Sequence, residues 1–275
     1  MDNAEAALAE TNPISFVFAL GRVEPRFPSL ALEKEFAQVT GQAETAGLTD
    51  RQALRSVLED RANRYLVRQL CWLFTIEGLE TYILVPRDPT DFDLLIEAVR
   101  ADPGPTDIDV VIGVLGPIAS PQACNGVMVP MVVFDQFYSF DRDALINAIP
   151  WPDKGKKGEE EAQFRTMARE VFDRIMQMAD NAGATDEHRA LNYLAVRYPA
   201  IYARTAEAYR AESSLTRVEV NTSPLSGARK IVDVVFSYTH RRTDVTEQYF
   251  ARVDVTEEFP FLITPMSPFY GQFIQ

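Results

Sequence analysis

Two cysteines, Cys71 and Cys124, and two histidines, His188 and His240, are the whole stock of soft metal-ligating side chains in 275 residues. So few cysteines exclude a disulfide-stapled secreted scaffold and point to a reducing compartment, hence to a cytoplasmic location. Long apolar runs are missing, which excludes a membrane-spanning helix. The start of the chain carries Asp2, Glu5 and Glu10 and no basic or apolar segment, so it does not read as a signal peptide. Basic charge is scarce as well: 27 Lys and Arg against 40 Asp and Glu leave a formal net charge of -13. Phosphate backbones and anionic lipids are repelled, so neither nucleic acid nor a membrane is an expected partner, whereas cationic ligands or basic protein segments are attracted. Phosphate loops, dinucleotide-binding glycine fingerprints, H-E-x-x-H and Gly-x-Ser-x-Gly are absent too, which disfavours the motif-bearing enzyme classes.

What remains is ordinary globular material, 47% hydrophobic and 24% charged, long enough to bury a large core. Residues 1–13 read as a flexible tail or linker. Residues 14–275 read as a single α+β domain with mostly antiparallel sheets and an inserted long αα-hairpin. Within it, 14–150 form a sheet and helix half, 159–212 the hairpin and 213–275 an antiparallel meander.

The local patterns behind this reading are specific. Ile14 to Leu20 is an apolar strand closed by Gly21, and Arg22 to Pro28 is a rigid loop because Pro25 and Pro28 remove backbone donors. Ser29 caps a helix ended by Gly41, and Thr49-Asp50 opens another reaching about Arg61. The even spacing of Leu66, Leu70, Trp72, Phe74 and Ile76 predicts a strand over Tyr65 to Ile76, joined through Glu77-Gly78 to a second strand over Leu79 to Val85. A short helix over Asp91 to Arg100 and strands over Ile108 to Leu115 and Val127 to Phe134 follow. Trp151 to Gly158 marks a mobile loop or boundary. Phe164, Met167, Ala168, Val171, Phe172, Ile175, Met178 and Ala179 draw one apolar stripe on a long helix ended by Gly183. Thr185 caps the next helix, which Pro199 divides. Period-two strands over 215–221, 230–238 and 246–255 complete the meander.

Chemistry is sparse. Cys71, Cys124, His188 and His240 form a legitimate Cys2His2 zinc set, although they are scattered singly, without the close pairs of a zinc motif. His188 stands in a first helical turn, where the dipole keeps its ring neutral, and His240 stands where the apolar face of Val232, Val234, Phe236 and Tyr238 meets a loop. A capping role and a satisfied structural role are the plainer readings of the two. The carboxylates Glu24, Asp107, Asp109, Asp135 and Asp141 cannot be shown from spacing to converge. Arg22, Glu24 and Arg26, on the loop after the first strand, are the binding-loop candidates, because loops at strand ends carry function more often than strand interiors.

A resemblance rests on particular residues. Phe18 to Pro28, Cys71-Trp72, Glu77 to Tyr82, Cys124-Asn125-Gly126, Asp180 to Tyr193, Ser237 to Arg241 and Asp254 to Pro260 look like the PatG-like C-terminal domain of unknown function of cyanobactin (patellamide-type) maturation proteases. In that family the domain is attached to subtilisin-like proteases that process ribosomal precursor peptides into cyclic products. The protease's Ser-His-Asp machinery does not come with the domain. The resemblance implies a non-catalytic accessory domain of cyanobactin biosynthesis that docks the precursor peptide, protease or heterocyclase partners, or a second copy of itself. The alternative is an unrecognised, zinc-dependent peptide-tailoring enzyme using the Cys and His set.

Overall fold

In the computed structural model, which describes residues 14–42, 48–149, 158–176 and 180–270, one strand serves two hydrophobic cores. That strand is β1 (Phe16–Arg26). Successive side chains of a strand point to opposite faces. Val17, Ala19 and Val23 accordingly enter one core, while Phe18 and Leu20 enter the other.

The first core belongs to a barrel. After β1 come α1 (Leu30–Gln42), α2 (Asp50–Glu59), α3 (Arg64–Gln69), β2 (Cys71–Ile76), β3 (Leu79–Pro86), α4 (Phe92–Ala98), β4 (Asp107–Ile118) and β5 (Pro130–Asp141). The strands close in the order β1-β2-β3-β5-β4. Every pairing is antiparallel except β3 with β5. Leu32, Phe36, Leu58, Leu66 and Leu95 from the four helices pack with Trp72, Phe74 and Phe134 of the strands. The indole of Trp72 satisfies itself by donating to the Val67 carbonyl at 3.0 Å. Thr49 and Gln52 form a reciprocal capping box at the start of α2, an arrangement that contributes about 1 kcal/mol.

The second core holds the rest. Following α5 (Arg142–Ala148) are α6 (Glu159–Met176), α7 (Asp186–Arg197), α8 (Ala200–Arg210), and β6 (Ser213–Thr222), β7 (Ile231–His240), β8 (Thr246–Asp254) and β9 (Phe261–Pro268), which form an antiparallel sheet in sequential order. Phe164, Phe172 and Ile175 of α6 and Leu191 and Leu194 of α7 join Phe18 and Leu20 on one side and Val234 and Phe236 of β7 on the other. Helix α7 touches both β1 and β7, so a helical layer lies between barrel and sheet.

The α+β class stands, with several corrections to its parts. β1 runs on through Pro25 to Arg26 instead of ending at Gly21, because beyond residue 21 its pairing partner is β2 alone and a missing proline donor on the free side costs nothing. Leu66 is a residue of α3 and Leu70 its C-cap, and neither is in a strand; they are four apart, a spacing that fits a helix as well as a two-residue period. Gly41 lies inside α1. α5 was not anticipated, β5 begins at Pro130 and extends to Asp141, and β9 adds a fourth strand to the meander. The proposed tail 1–13, most of the proposed loop from Trp151 to Gly158, and the helical positions 177–179 lie outside the described residues.

A polar contact ties the barrel to the second sheet. Arg87, just after β3, donates through Nε to Asp135 of β5 at 2.5 Å, and the half-buried Glu258 carboxyl of the β8–β9 loop lies close enough to that pair to feel its charges. Burial, and then the neighbouring Asp135, push the Glu258 carboxyl up to about 7, while the Arg87 hydrogen bond holds Asp135 below the usual carboxylate range. A carboxyl whose folded value lies above its unfolded one stabilises the fold at low pH and loses that contribution as pH rises, here between roughly 4.5 and 7. Melting temperature should therefore fall from pH 5 to pH 8. Glu258→Gln, which keeps the donor and removes the charge, should flatten that fall by a few degrees, as calorimetry would show, the gain being limited by solvent screening. An identical pH dependence in both proteins would show that Glu258 is not the group responsible.

Candidate functional site

An open cleft of about 410 Å³ lies where the mouth of the barrel meets α6. Its walls come from Leu20 to Glu24 of β1, the β2–β3 turn, Pro105 to Ile108 entering β4, the start of α5, and Phe172, Asp173 and Met176 of α6. β1 can cross β2 here because residue 21 is glycine: a Cβ would come within 2.7 Å of the Phe74 ring and closer still to the Thr75 carbonyl. Glu77 and Gly78 have φ of 51° and 80°, the two positive values of a type I′ hairpin turn, which sets the Glu77 side chain at the rim.

The cationic groups of the cleft are already engaged. Arg22 donates through Nε to the Asp107 carbonyl at 3.2 Å and through Nη2 to the carbonyls of Pro105 at 2.6 Å and Gly104 at 3.2 Å, strapping the loop before β4 to β1. Asp107 pairs with Arg100 and accepts from the Gly104 amide at 2.6 Å. Arg142 donates through Nη1 to Asp173 at 2.8 Å. Counting the lining, four carboxylates (Glu24, Glu77, Asp107, Asp173) face two guanidinium groups (Arg22, Arg142), which leaves two negative charges in excess. Glu24 has only the looser approach of Arg26, at 3.7 Å. Leu20, Ile108, Phe172 and Met176 supply an apolar floor beneath these charges.

A smaller cavity of about 90 Å³ opens behind Arg22 against Arg51, Arg100 and Asp109. Asp109 is buried and accepts from the Val23 amide at 2.8 Å and the Ser139 hydroxyl at 2.5 Å. Burial pushes its carboxyl up, against the pull of those two donors. Its hydrogen bonds are made within the fold, so it fastens β4 to β1 and β5.

Of the three loop candidates, the structure sets Arg22 and Glu24 in the lining of the cleft, whereas Arg26 pairs with Glu24 and Glu80 and lies outside it. Of the other carboxylates, Asp107 joins both cavities and Asp109 the smaller one. Asp141 caps α5 by accepting from the Ala144 amide, and Asp135 accepts from Arg87 Nε. Glu77, Arg142, Phe172, Asp173 and Met176 were missed as site residues. Phe172 was visible in the α6 stripe but read as core, and nothing in the sequence brings α6 to the barrel mouth.

The proposed Cys2His2 zinc set does not assemble. Cys71 and Cys124 are bonded to each other as a buried disulfide, with Cα atoms 5.4 Å apart, so neither offers a thiolate to a metal or a nucleophile to a histidine. The histidines are remote from one another. His188 is two residues from Asp186, whose carboxylate lies 3.3 Å from Lys230 at the start of β7, while His240 is the last residue of β7. Ten residues of strand separate the two ends by roughly 30 Å. His240 Nδ1 accepts from the amides of Arg242 and Thr243, both at 3.2 Å, and so closes the β7–β8 turn. His188 gives its amide to the capping hydroxyl of Thr185, and burial lowers its ring's affinity for a proton. Among the described residues no group of three or more His, Cys, Asp or Glu has an arrangement that could hold a metal ion. The disulfide also removes cysteine scarcity as a ground for a reducing compartment. No helix among the described residues is long and apolar enough to cross a membrane.

Comparison with known proteins supports the resemblance drawn from the sequence. Residues 158–269, from α6 to β9, match the family model described as PatG C-terminal. A solved structure described as "PatG Domain of Unknown Function" shares the fold with a TM-score of 0.74 at 19% identity, over 93% of this chain and 98% of that one. No curated protein matches. The family match takes in the α6 wall of the cleft, and the structural match extends the likeness to most of the chain.

Proposed function

We propose that this chain, built on the fold of the PatG domain, is a non-catalytic docking module of cyanobactin-type ribosomal peptide biosynthesis that holds a cationic stretch of precursor peptide in the cleft at the barrel mouth. One observation carries the reading: the arginines of the cleft are spent on backbone carbonyls and on Asp173, while Glu24 and Glu77 stand over an apolar floor. Such a surface suits an amine or guanidinium on an apolar stem, because Lys and Arg bury their methylenes and keep the charged head at a polar rim. The overall charge of -13 adds long-range attraction and makes association sensitive to salt. The cleft offers room for a few peptide groups, and a protease or heterocyclase partner could present the same kind of basic segment.

The test is a titration of fluorescently labelled precursor peptide into the protein by anisotropy. Binding should weaken as salt rises and should fall at least about tenfold, or 1.4 kcal/mol, in the Glu24→Gln, Glu77→Gln double variant, whose melting temperature should be little changed because both side chains face solvent at the rim. Equal affinity of the wild type and the double variant would sink the assignment of the cleft. Robust turnover of the peptide by this chain would sink the non-catalytic reading.

A further inference from the structure

Helix α6 has a second cleft on its other flank, of opposite electrostatic character. About 190 Å³ in volume, it lies between α6, α8 and the start of β6. Met167, Val171 and Leu215 form an apolar wall, and Arg174, Arg241 and Tyr209 face it. Glu170 is the single carboxylate against two guanidinium groups, so this lining carries one net positive charge within a strongly acidic chain.

The geometry of Arg241 matters most. Its guanidinium carbon sits 4.2 Å from the centroid of the Tyr209 ring, and its Nε donates to the Ser214 hydroxyl at 2.9 Å. One face and one edge of the plane are therefore fixed. Among the described residues the two terminal nitrogens, a fork that matches a carboxylate, have no acceptor. Arg174 is held by donating through Nη1 to the Leu215 carbonyl. A flat anion is favoured over a tetrahedral dianion because the local surplus is one charge and Met167, Val171 and Leu215 give the cleft an apolar side.

We infer that this second cleft binds a carboxylate of a peptide chain, with an apolar side chain laid on Met167, Val171 and Leu215. The inference is independent of the barrel-mouth cleft, since the two sites share no lining residue. A carboxylate can come from a peptide C-terminus or from an acidic side chain, and the probes below tell them apart.

The experiment is ligand-observed NMR on the full chain with N-acetyl-leucine, N-acetyl-leucinamide, the α-amide of N-acetyl-glutamic acid, and inorganic phosphate. N-acetyl-leucine should bind at least tenfold more tightly than its amide. Arg241→Gln should lose at least tenfold of that affinity and Arg241→Lys less, with unchanged melting curves, while the Glu24→Gln, Glu77→Gln variant should bind like the wild type. Preference for N-acetyl-leucine assigns a C-terminal carboxylate, and preference for the glutamic acid amide assigns a side-chain one. Binding of N-acetyl-leucinamide equal to that of both carboxylate probes, an unaffected Arg241→Gln protein, or tighter binding of phosphate overturns the inference. Arg174→Gln is the second variant should Arg241→Gln not fold, and the same loss is expected of it.

Discussion

Replacing Gly183 by valine should cost this protein about 3 kcal/mol or more of folding free energy, measured by urea denaturation. From sequence alone Gly183 is a helix terminator whose replacement by valine would cost about 1 kcal/mol or more if it occupies a left-handed C′ position. The structure assigns it a different place. α6 is described only to Met176, Asp180 already has positive φ, and Gly183, with φ of 74°, sits in the loop before α7 pressed against β1. Its carbonyl accepts from the Phe18 amide at 2.9 Å, so the loop occupies the stretch of β1 that β2 does not reach. A Cβ here would fall 2.7 Å from the Ala19 Cα and nearer still to the Phe18 carbonyl, which also accepts from Asn192 Nδ2 at 2.8 Å. These are backbone atoms of the strand shared by both cores and cannot withdraw as a flexible side chain could. Strain in φ and collision with β1 therefore add. Gly183→Ala should show most of the loss, and a loss below 1 kcal/mol in the valine variant would mean that the loop can leave β1 without consequence.

Loss of the Cys71–Cys124 bond should have an effect of similar size. The two cysteines are 53 positions apart, and closing a loop of that length in the unfolded chain corresponds to about 4 kcal/mol on the chain-entropy model. The bond joins the first residue of β2 to the loop between β4 and β5, beside Leu73, Ile83 and Ala119, in a small buried cluster. The Cys71→Ala, Cys124→Ala variant should unfold at markedly lower denaturant, and the wild type treated with reductant should approach the same midpoint. Two thiols titrating in the native, unreduced protein, or an unchanged midpoint in the double variant, would rule out the bond as a source of stability.

Features governed by near neighbours were legible in the sequence. Thr49 opens α2 with its capping box, Glu77-Gly78 turns the β2–β3 hairpin, the stripe from Phe164 to Ile175 makes α6, and Pro199 separates α7 from α8. Each depends on residues within a turn or two, and the pattern states the outcome. Misreadings arose where one pattern served two periods, as with Leu66 and Leu70, or where a local rule met a distant partner, as with Pro25 in a strand paired on one side only. The acceptor role of His240 in the β7–β8 turn depends on amides whose positions the turn itself creates, so no spacing in the sequence announces it.

By itself, then, the sequence determined an acidic α+β chain with its hairpins, its caps and most of its helices, because hydrophobic period, turn chemistry and charge are properties of adjacent residues. Only the tertiary structure decided that five strands close on themselves, that Cys71 meets Cys124, that the two histidines stand at opposite ends of β7, and that Arg22 spends its charge on carbonyls while Glu24 and Glu77 line the cleft. Those outcomes rest on pairings between residues tens of positions apart, whose approach is set by the packing of the whole chain.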